Sequence, residues 1–209
     1  MPMVAGIPGD FSSINISANG DHARFTRDIA NITMDLNDVE RIEFNAFGGS
    51  DTIVVNDLSG TDVTKVDIDL AAAGGGGDGQ ADLVIAHGTN DNAVVVVFGD
   101  DSGIRVTGLA AEIVVTGVEG ANDVVEIRGS DGDDVIDASA VPAGLVTLVL
   151  HGGAGNDIII GSDGDDVITG GSGNDVLIGG LGNDIIEGDE GDDIIIQDFV
   201  AGGRTWRSP

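Results

Sequence analysis

The chain of 209 residues contains no cysteine, which excludes a disulfide framework and any thiolate metal site. Redox compartment therefore leaves no trace in it. Aromatic residues make up only 3%, with no tyrosine, so a core has to be built from Val, Ile, Leu and Ala, which fill narrow, regular spaces better than irregular ones. Basic residues are scarce: 8 Lys and Arg stand against 37 Asp and Glu, a formal charge of −29. Such a chain repels nucleic acid and anionic membrane surfaces, and its natural partners are cations. Long apolar runs are missing too. The longest, Ala93 to Phe98, falls far short of the roughly 20 residues that span a bilayer, so no membrane span is expected. The opening MPMVAGIPGDFSSINIS has neither the basic leader nor the apolar stretch of about 7 to 15 residues that marks a secretory signal peptide.

What is present is regular. Apolar residues reach 41%, enough for a packed core, and 35 glycines mark positions of positive φ or close backbone approach. From Gly152 to Ile196 the sequence divides into nines: GGAGNDIII, GSDGDDVIT, GGSGNDVLI, GGLGNDIIE and GDEGDDIII. Glycine holds the first and fourth places of each, Asn or Asp the fifth, Asp the sixth, and a mostly β-branched trio generally follows. Gly, Asn and Asp tolerate left-handed backbone while Ile and Val favour a pleated surface, so each nonapeptide reads as a turn followed by a short strand. Two nonapeptides make a coil of eighteen residues, and coils stack about 4.8 Å apart by parallel pairing. The middle residue of each trio is predicted to face inward: Ile159, Ile168, Leu177, Ile186 and Ile195.

Stacking aligns the acids. Asp157, Asp175 and Asp193 fall in one column and Asp166 and Asp184 in the other. Between Gly129 and Ile196 there are fifteen Asp and Glu residues and no Lys or Arg. Two carboxylates about 4.8 Å apart repel by roughly 3.5 kcal/mol at an effective dielectric of 20. A hard divalent cation between turns removes that repulsion, with carboxylates and turn carbonyls forming an all-oxygen shell. Calcium suits such a shell better than magnesium because it accepts six to eight oxygens in loose geometry, and zinc is disfavoured by the absence of Cys and the scarcity of His.

These repeats resemble the GGxGxD nonapeptides of the RTX, or haemolysin-type, calcium-binding family. The resemblance implies a right-handed parallel β-roll in which the first six residues of each repeat form a calcium-binding turn. It implies sixth-place ligands at Asp157, Asp166, Asp175, Asp184 and Asp193. Turn glycines would complete the shells through their carbonyls: Gly152, Gly155, Gly161, Gly164, Gly170, Gly173, Gly179, Gly182, Gly188 and Gly191. Ser162 and Asp189 depart from the pattern at the second place. An earlier repeat, GSDGDDVID from Gly129 to Asp137, lies out of phase. Its Asp134 precedes Asp157 by 23 residues, which lengthens one half-coil by five, stacks Asp134 below Asp157 and adds a candidate site.

Upstream, acidic clusters around Asp82, Asp91, Asp101, Glu112, Asp123 and Asp134 precede β-rich runs, which predicts a wider, degenerate solenoid coil of some twenty-two residues. KVDIDL alternates cleanly, with Val66, Ile68 and Leu70 on one face. Further strands are expected at SINIS, ITMDL and TIVVN, the last preceded by GGSD, a worn echo of the repeat. An antiparallel β-sandwich over residues 1–128 is the alternative for this half. AAAGGGGDGQ, Ala71 to Gln80, reads as a loop.

Chemistry of other kinds finds little support. His22, His87 and His151 are scattered, the serines lie in no nucleophile elbow, and the GGxG turns lead into Asp rather than a phosphate-binding helix. Carboxylate pairs are too abundant to single out a glycosidase-like pair. The expectation is an all-β protein, not an enzyme, with a degenerate solenoid extension over 1–128, a calcium β-roll over 129–196 and a tail over 197–209. Its cofactor is Ca²⁺, several ions in number. The expected function is calcium-dependent folding of a secreted or surface structural module. The alternatives are an adhesin or surface-layer module that contacts a protein partner or a second copy through outer β faces, and the non-catalytic part of a secreted hydrolase or epimerase. The resemblance implies type I export, although the tail after Ile196 is short for its signal.

Overall fold

The structure, a computed structural model, describes residues 11–197. The expected tail lies outside these residues except for Gln197. The described residues form eighteen strands and one 3₁₀ turn, Ile29–Asn31. The strands are β1 (Ser13–Asn19), β2 (His22–Arg27), β3 (Ile32–Leu36), β4 (Arg41–Phe47), β5 (Thr52–Val55), β6 (Lys65–Ala72), β7 (Leu83–His87), β8 (Val94–Asp100) and β9 (Gly103–Thr107). They continue with β10 (Glu112–Thr116), β11 (Val124–Asp131), β12 (Val135–Ala140), β13 (Thr147–Ala154), β14 (Ile158–Ile160), β15 (Val167–Ser172), β16 (Val176–Ile178), β17 (Ile185–Glu190) and β18 (Ile194–Ile196).

They assemble into two nine-stranded sheets. The first runs β17-β15-β13-β11-β7-β5-β1-β2-β3 and the second β18-β16-β14-β12-β8-β9-β10-β6-β4. From β11 onward the chain alternates between sheets, and every pairing within each sheet is parallel. This follows from the sequence period: each nonapeptide carries one trio of β-formers and one glycine-rich corner, and the next trio falls on the opposite side. On the first sheet pairing continues past the trio into the glycine turn, so that β15 reaches Ser172 and β17 reaches Glu190. On the second sheet the strands from β14 onward are the trios alone.

One apolar cluster lies between the sheets, and its width follows the strands. In the N-terminal half each strand turns two or three side chains inward, as Ile14 and Ile16, Ile42, Phe44 and Ala46, or Val66, Ile68 and Leu70. Phe25 and Phe44 fill the space at that end, with ring centroids 6.3 Å apart. In the repeats a trio supplies one inward residue, so the core narrows to Ile159, Ile168 and Leu177, all fully buried. Ile186, in register with Ile168, packs against this core while only partly buried, and Ile195, in register with Leu177, is 46% exposed. They occupy the last coil, which has no described strand stacked beyond it.

The regular coil of some twenty-two residues expected upstream is not what forms. Asp101 sits in the hairpin turn of β8 and β9, and β8-β9-β10 is an antiparallel meander inserted into the second sheet. Asp91 lies in the loop ahead of β8. At the other end β1-β2-β3 is antiparallel as well, while β1-β5-β7-β11 and β4-β6-β10 are parallel. Both sheets are therefore mixed: β4 to β8 alternate between them with β4-β6 and β5-β7 parallel, in the manner of a degenerate solenoid, the hairpins interrupt it, and a purely antiparallel sandwich does not describe this half. Two strands, β2 and β4, were not anticipated: HARFTR and RIEFNAF alternate charged outward residues with Ala23, Phe25 and Arg27 or Ile42, Phe44 and Ala46.

Candidate metal centre

Each repeat turn ends on its sixth-place aspartate, immediately before a strand, with the carboxylate directed back along the stack. Asp157 Oδ1 accepts the backbone N–H of Asp134 (2.8 Å), Asp175 Oδ1 that of Asp157 (2.8 Å) and Asp193 Oδ1 that of Asp175 (2.9 Å). Asp134 Oδ1 starts this column by accepting the Ala93 N–H (2.7 Å). On the other side Asp184 Oδ1 accepts the Asp166 N–H (3.1 Å). The columns read from the spacing are thus physically continuous, and Asp134 stacks below Asp157.

The second carboxylate oxygen is the informative one. Oδ2 of Asp134, Asp157 and Asp175 is buried and has no hydrogen-bond partner, in residues that are each 1% exposed. A buried acceptor without a donor is costly, and a buried charge more so. The first-place glycines frame these oxygens. A Cβ on Gly152 would overlap Asp157 Oδ2 and stand 2.7 Å from the Gly170 carbonyl oxygen, and one on Gly170 would overlap Asp175 Oδ2 and stand 2.7 Å from that of Gly188. Gly129, Gly161 and Gly179 repeat the arrangement with Asp134 and Gly152, Asp166 and Gly179, and Asp184 and Gln197, and Gly188 faces Asp193 Oδ2. The fourth-place glycines, where φ is positive, bring backbones together: a Cβ on Gly155 would strike the Gly132 carbonyl, on Gly173 that of Gly155, on Gly182 that of Gly164 and on Gly191 that of Gly173. Gly164 is looser, with only ordinary contacts around it.

Burial pushes the Asp157 carboxyl up to about 6; the Asp134 N–H holds it down and the Asp175 and Asp134 carboxylates add to the rise. Asp134 and Asp175 are raised for the same first reason. Asp166 differs: burial raises it to about 6, but Ser162 donates to it twice, from N–H to Oδ2 (2.6 Å) and from Oγ to Oδ1 (2.9 Å). Ser162, a departure from the repeat at its second place, caps the lower end of this column. Asp189, the other departure, takes the left-handed φ of 67° that glycine supplies elsewhere.

Fifth-place residues, to which the spacing assigned no role, form a second ladder of opposite sense. Asp133 Oδ1 accepts from Asn156 N (2.7 Å), Asn156 Oδ1 from Asn174 N (3.0 Å) and Asn174 Oδ1 from Asp192 N (2.8 Å), and Asp165 Oδ1 accepts from Asn183 N (2.8 Å). The signal was visible as the invariable Asn or Asp at that place, since both carry an acceptor at the same reach.

A proton or a cation would satisfy the orphaned oxygens, and at neutral pH the Asp157 carboxyl, raised to about 6, is mostly ionised. Among the described residues no three acidic or histidine side chains converge on one point, so any ion would draw its remaining ligands from main-chain carbonyls such as Gly170 and Gly188. Oxygen donors alone, in the irregular arrangement that a turn offers, fit calcium. The family model described as RTX calcium-binding nonapeptide repeat (4 copies) matches the chain over residues 119–140, 149–177 and 169–196. No curated protein and no solved structure matches it. The segments 119–140 and 149–196 therefore carry RTX calcium-binding repeats, whose nonapeptides bind Ca²⁺, several ions for several repeats.

Proposed function

We propose that residues 129–196 form a right-handed parallel β-roll that folds on binding calcium and serves, with the extension over 1–128, as a non-catalytic structural module of a secreted or surface protein. The ligands in this reading are the sixth-place aspartates Asp134, Asp157, Asp175 and Asp193 of one column and Asp166 and Asp184 of the other, together with carbonyls of the turn glycines. The observation that carries it is the row of buried carboxylate oxygens without a donor at Asp134, Asp157 and Asp175, each beside a glycine of the repeat. Magnesium holds its water more tightly and demands closer octahedral geometry, so it does not replace calcium at equal concentration. Circular dichroism during a calcium titration of the full chain tests this. Strand signal that rises with calcium and not with magnesium is expected; a signal unchanged by excess chelator overturns the reading.

A second reading, a module that docks a protein partner, is favoured by the exposed apolar positions Ile158, Ile185 and Ile194 on the outer faces. Sedimentation mass in calcium separates self-association from a monomeric scaffold.

A further inference from the structure

The ladder of sixth-place aspartates has a counterpart in the N-terminal half, two of whose three members, Asp51 and Asp82, lie outside the repeat match. Asp51, Asp82 and Asp123 stand immediately ahead of β5, β7 and β11. Their Oδ1 atoms accept, in order, the backbone N–H of Ser12 (2.8 Å), Asp51 (2.7 Å) and Asp82 (3.1 Å). The turns leading into them, 48–51, 77–82 and 119–123, hold five acids and no Lys or Arg. Two of these acids lace neighbouring turns together: Asp78 Oδ2 accepts the Gly49 N–H (3.0 Å) and Glu119 Oε2 the Gly79 N–H (2.7 Å). Glycine makes room for both. A Cβ on Gly48 would stand 3.3 Å from Asp78 Oδ2, and one on Gly77 would overlap the Glu119 carboxylate.

A separate observation points to a missing ligand. Asp51 is 1% exposed, and its Oδ2 has no hydrogen-bond partner. The basic side chain whose charge reaches it, Arg27, gives Nε and Nη2 to Ser12 Oγ (3.3 and 2.9 Å) at the foot of the stack. Higher up, Asp82 feels the charges of Asp123, Asp51 and Asp78, and Asp123 those of Glu119 and Asp78. The donor set is again oxygen alone, and main-chain carbonyls would have to supplement it, as in the repeats.

We propose that this turn stack is a further calcium site, held by Asp51 and Asp78 together with main-chain carbonyls and flanked by Asp82 and Glu119, with its ligands on turns 48–51 and 77–82, outside the repeat match. It neutralises the middle of the stack, which Arg27 serves only from below. Backbone amide NMR shifts of the full chain during calcium chloride titration report on it directly, because the Gly49 and Gly79 N–H groups donate to Asp78 and Glu119. Saturable shifts of both amides are expected, and amides that stay put overturn the site whatever the repeats do. Isothermal titration provides the second measurement. The double variant Asp78→Asn/Glu119→Gln should bind one ion fewer than the wild-type chain, while the calcium midpoint of its strand signal stays within twofold. Asp175→Asn, within the repeats, should leave the Gly49 and Gly79 shifts intact. Unchanged stoichiometry in the double variant overturns the proposal.

Discussion

Asp175 shows how one side chain holds two positions at once. Its Oδ1 ties down the Asp157 N–H and its Oδ2 has no donor. Asp175→Asn keeps the first bond through the amide oxygen and turns an NH₂ toward the Gly188 carbonyl. The variant should bind fewer ions and need more calcium to reach the fully folded state, while its calcium-free form gains about 1 kcal/mol from the new hydrogen bond. Glu187→Gln removes the same charge from an exposed position of β17 and should stay within about 0.5 kcal/mol of the parent. Titration calorimetry of both distinguishes ligation from plain repulsion, which expects the two variants to behave alike. Protons compete at the same atoms. Burial lifts Asp157, Asp166 and Asp51 to about 6 and Asp82 to about 7, so the folded chain binds more protons than the unfolded one across the interval from the ordinary carboxylate pKa to about 7. Without calcium, stability is therefore greatest at the acid end of that interval and falls as pH rises through it. With calcium the dependence reverses, and the calcium midpoint should rise as pH drops through about 6. Thermal melts in chelator at pH 5 and pH 8 check the sign, and a chelated chain that is more stable at pH 8 would count against it.

Elements in the repeats are too short to be stable alone, three residues in β14, β16 and β18, and depend on what their corners do. The fifth-place ladder is one such corner device and involves no calcium in this account. Asn156→Leu removes the acceptor of the Asn174 N–H and the side-chain donor to Asp133, and should destabilise the calcium-loaded chain by about 1–3 kcal/mol with the number of bound ions unchanged. Calcium counting alongside a urea melt separates the two effects. Elements of the two halves also differ in how legible they are in the sequence. The nine-residue spacing made the trios, their inward middles at Ile159, Ile168 and Leu177, and the aspartate columns legible, because every residue type recurs in phase. Asp51, Asp82 and Asp123 form the same kind of ladder but lie 31 and 41 residues apart. The loops and the β8-β9-β10 meander between them erase any period. β2 is hard to read because its inward Arg27 breaks the alternation and leaves Ala23 and Phe25 alone to carry it.

For the molecule as a whole, the two halves balance charge by different means. The N-terminal half has the wider core with Phe25 and Phe44, and Arg27 lies almost fully buried beside Ser12. The segment from Gly129 to Ile196 has a core one residue wide in each short trio and no Lys or Arg. Stability in a stack of this kind is a sum of coil and neighbour terms and need not be lost all at once. Chelation should release hydrogen-exchange protection first at Ile159, Ile168 and Leu177 while Ile14, Ile53 and Val66 keep theirs. Simultaneous loss in both sets would show one cooperative unit instead.

The register of β13 divides this assembly. Val124 pairs with Thr147, but Val149 pairs with Val167, so Asp123 lies opposite Val146 whereas Asp166 lies opposite Leu148. The step is two residues, which keeps every side chain on its own face and yet moves the acid row sideways, much as a dislocation shifts one row of a crystal lattice against the next. Asp123 ends one run of carboxylates with both oxygens bonded, and Asp166 begins the next under the cap of Ser162. On the first sheet a disturbance in either run thus meets a fault of buried Val146 and Leu148, while on the second the row from Asp134 to Asp193 passes the same level without interruption.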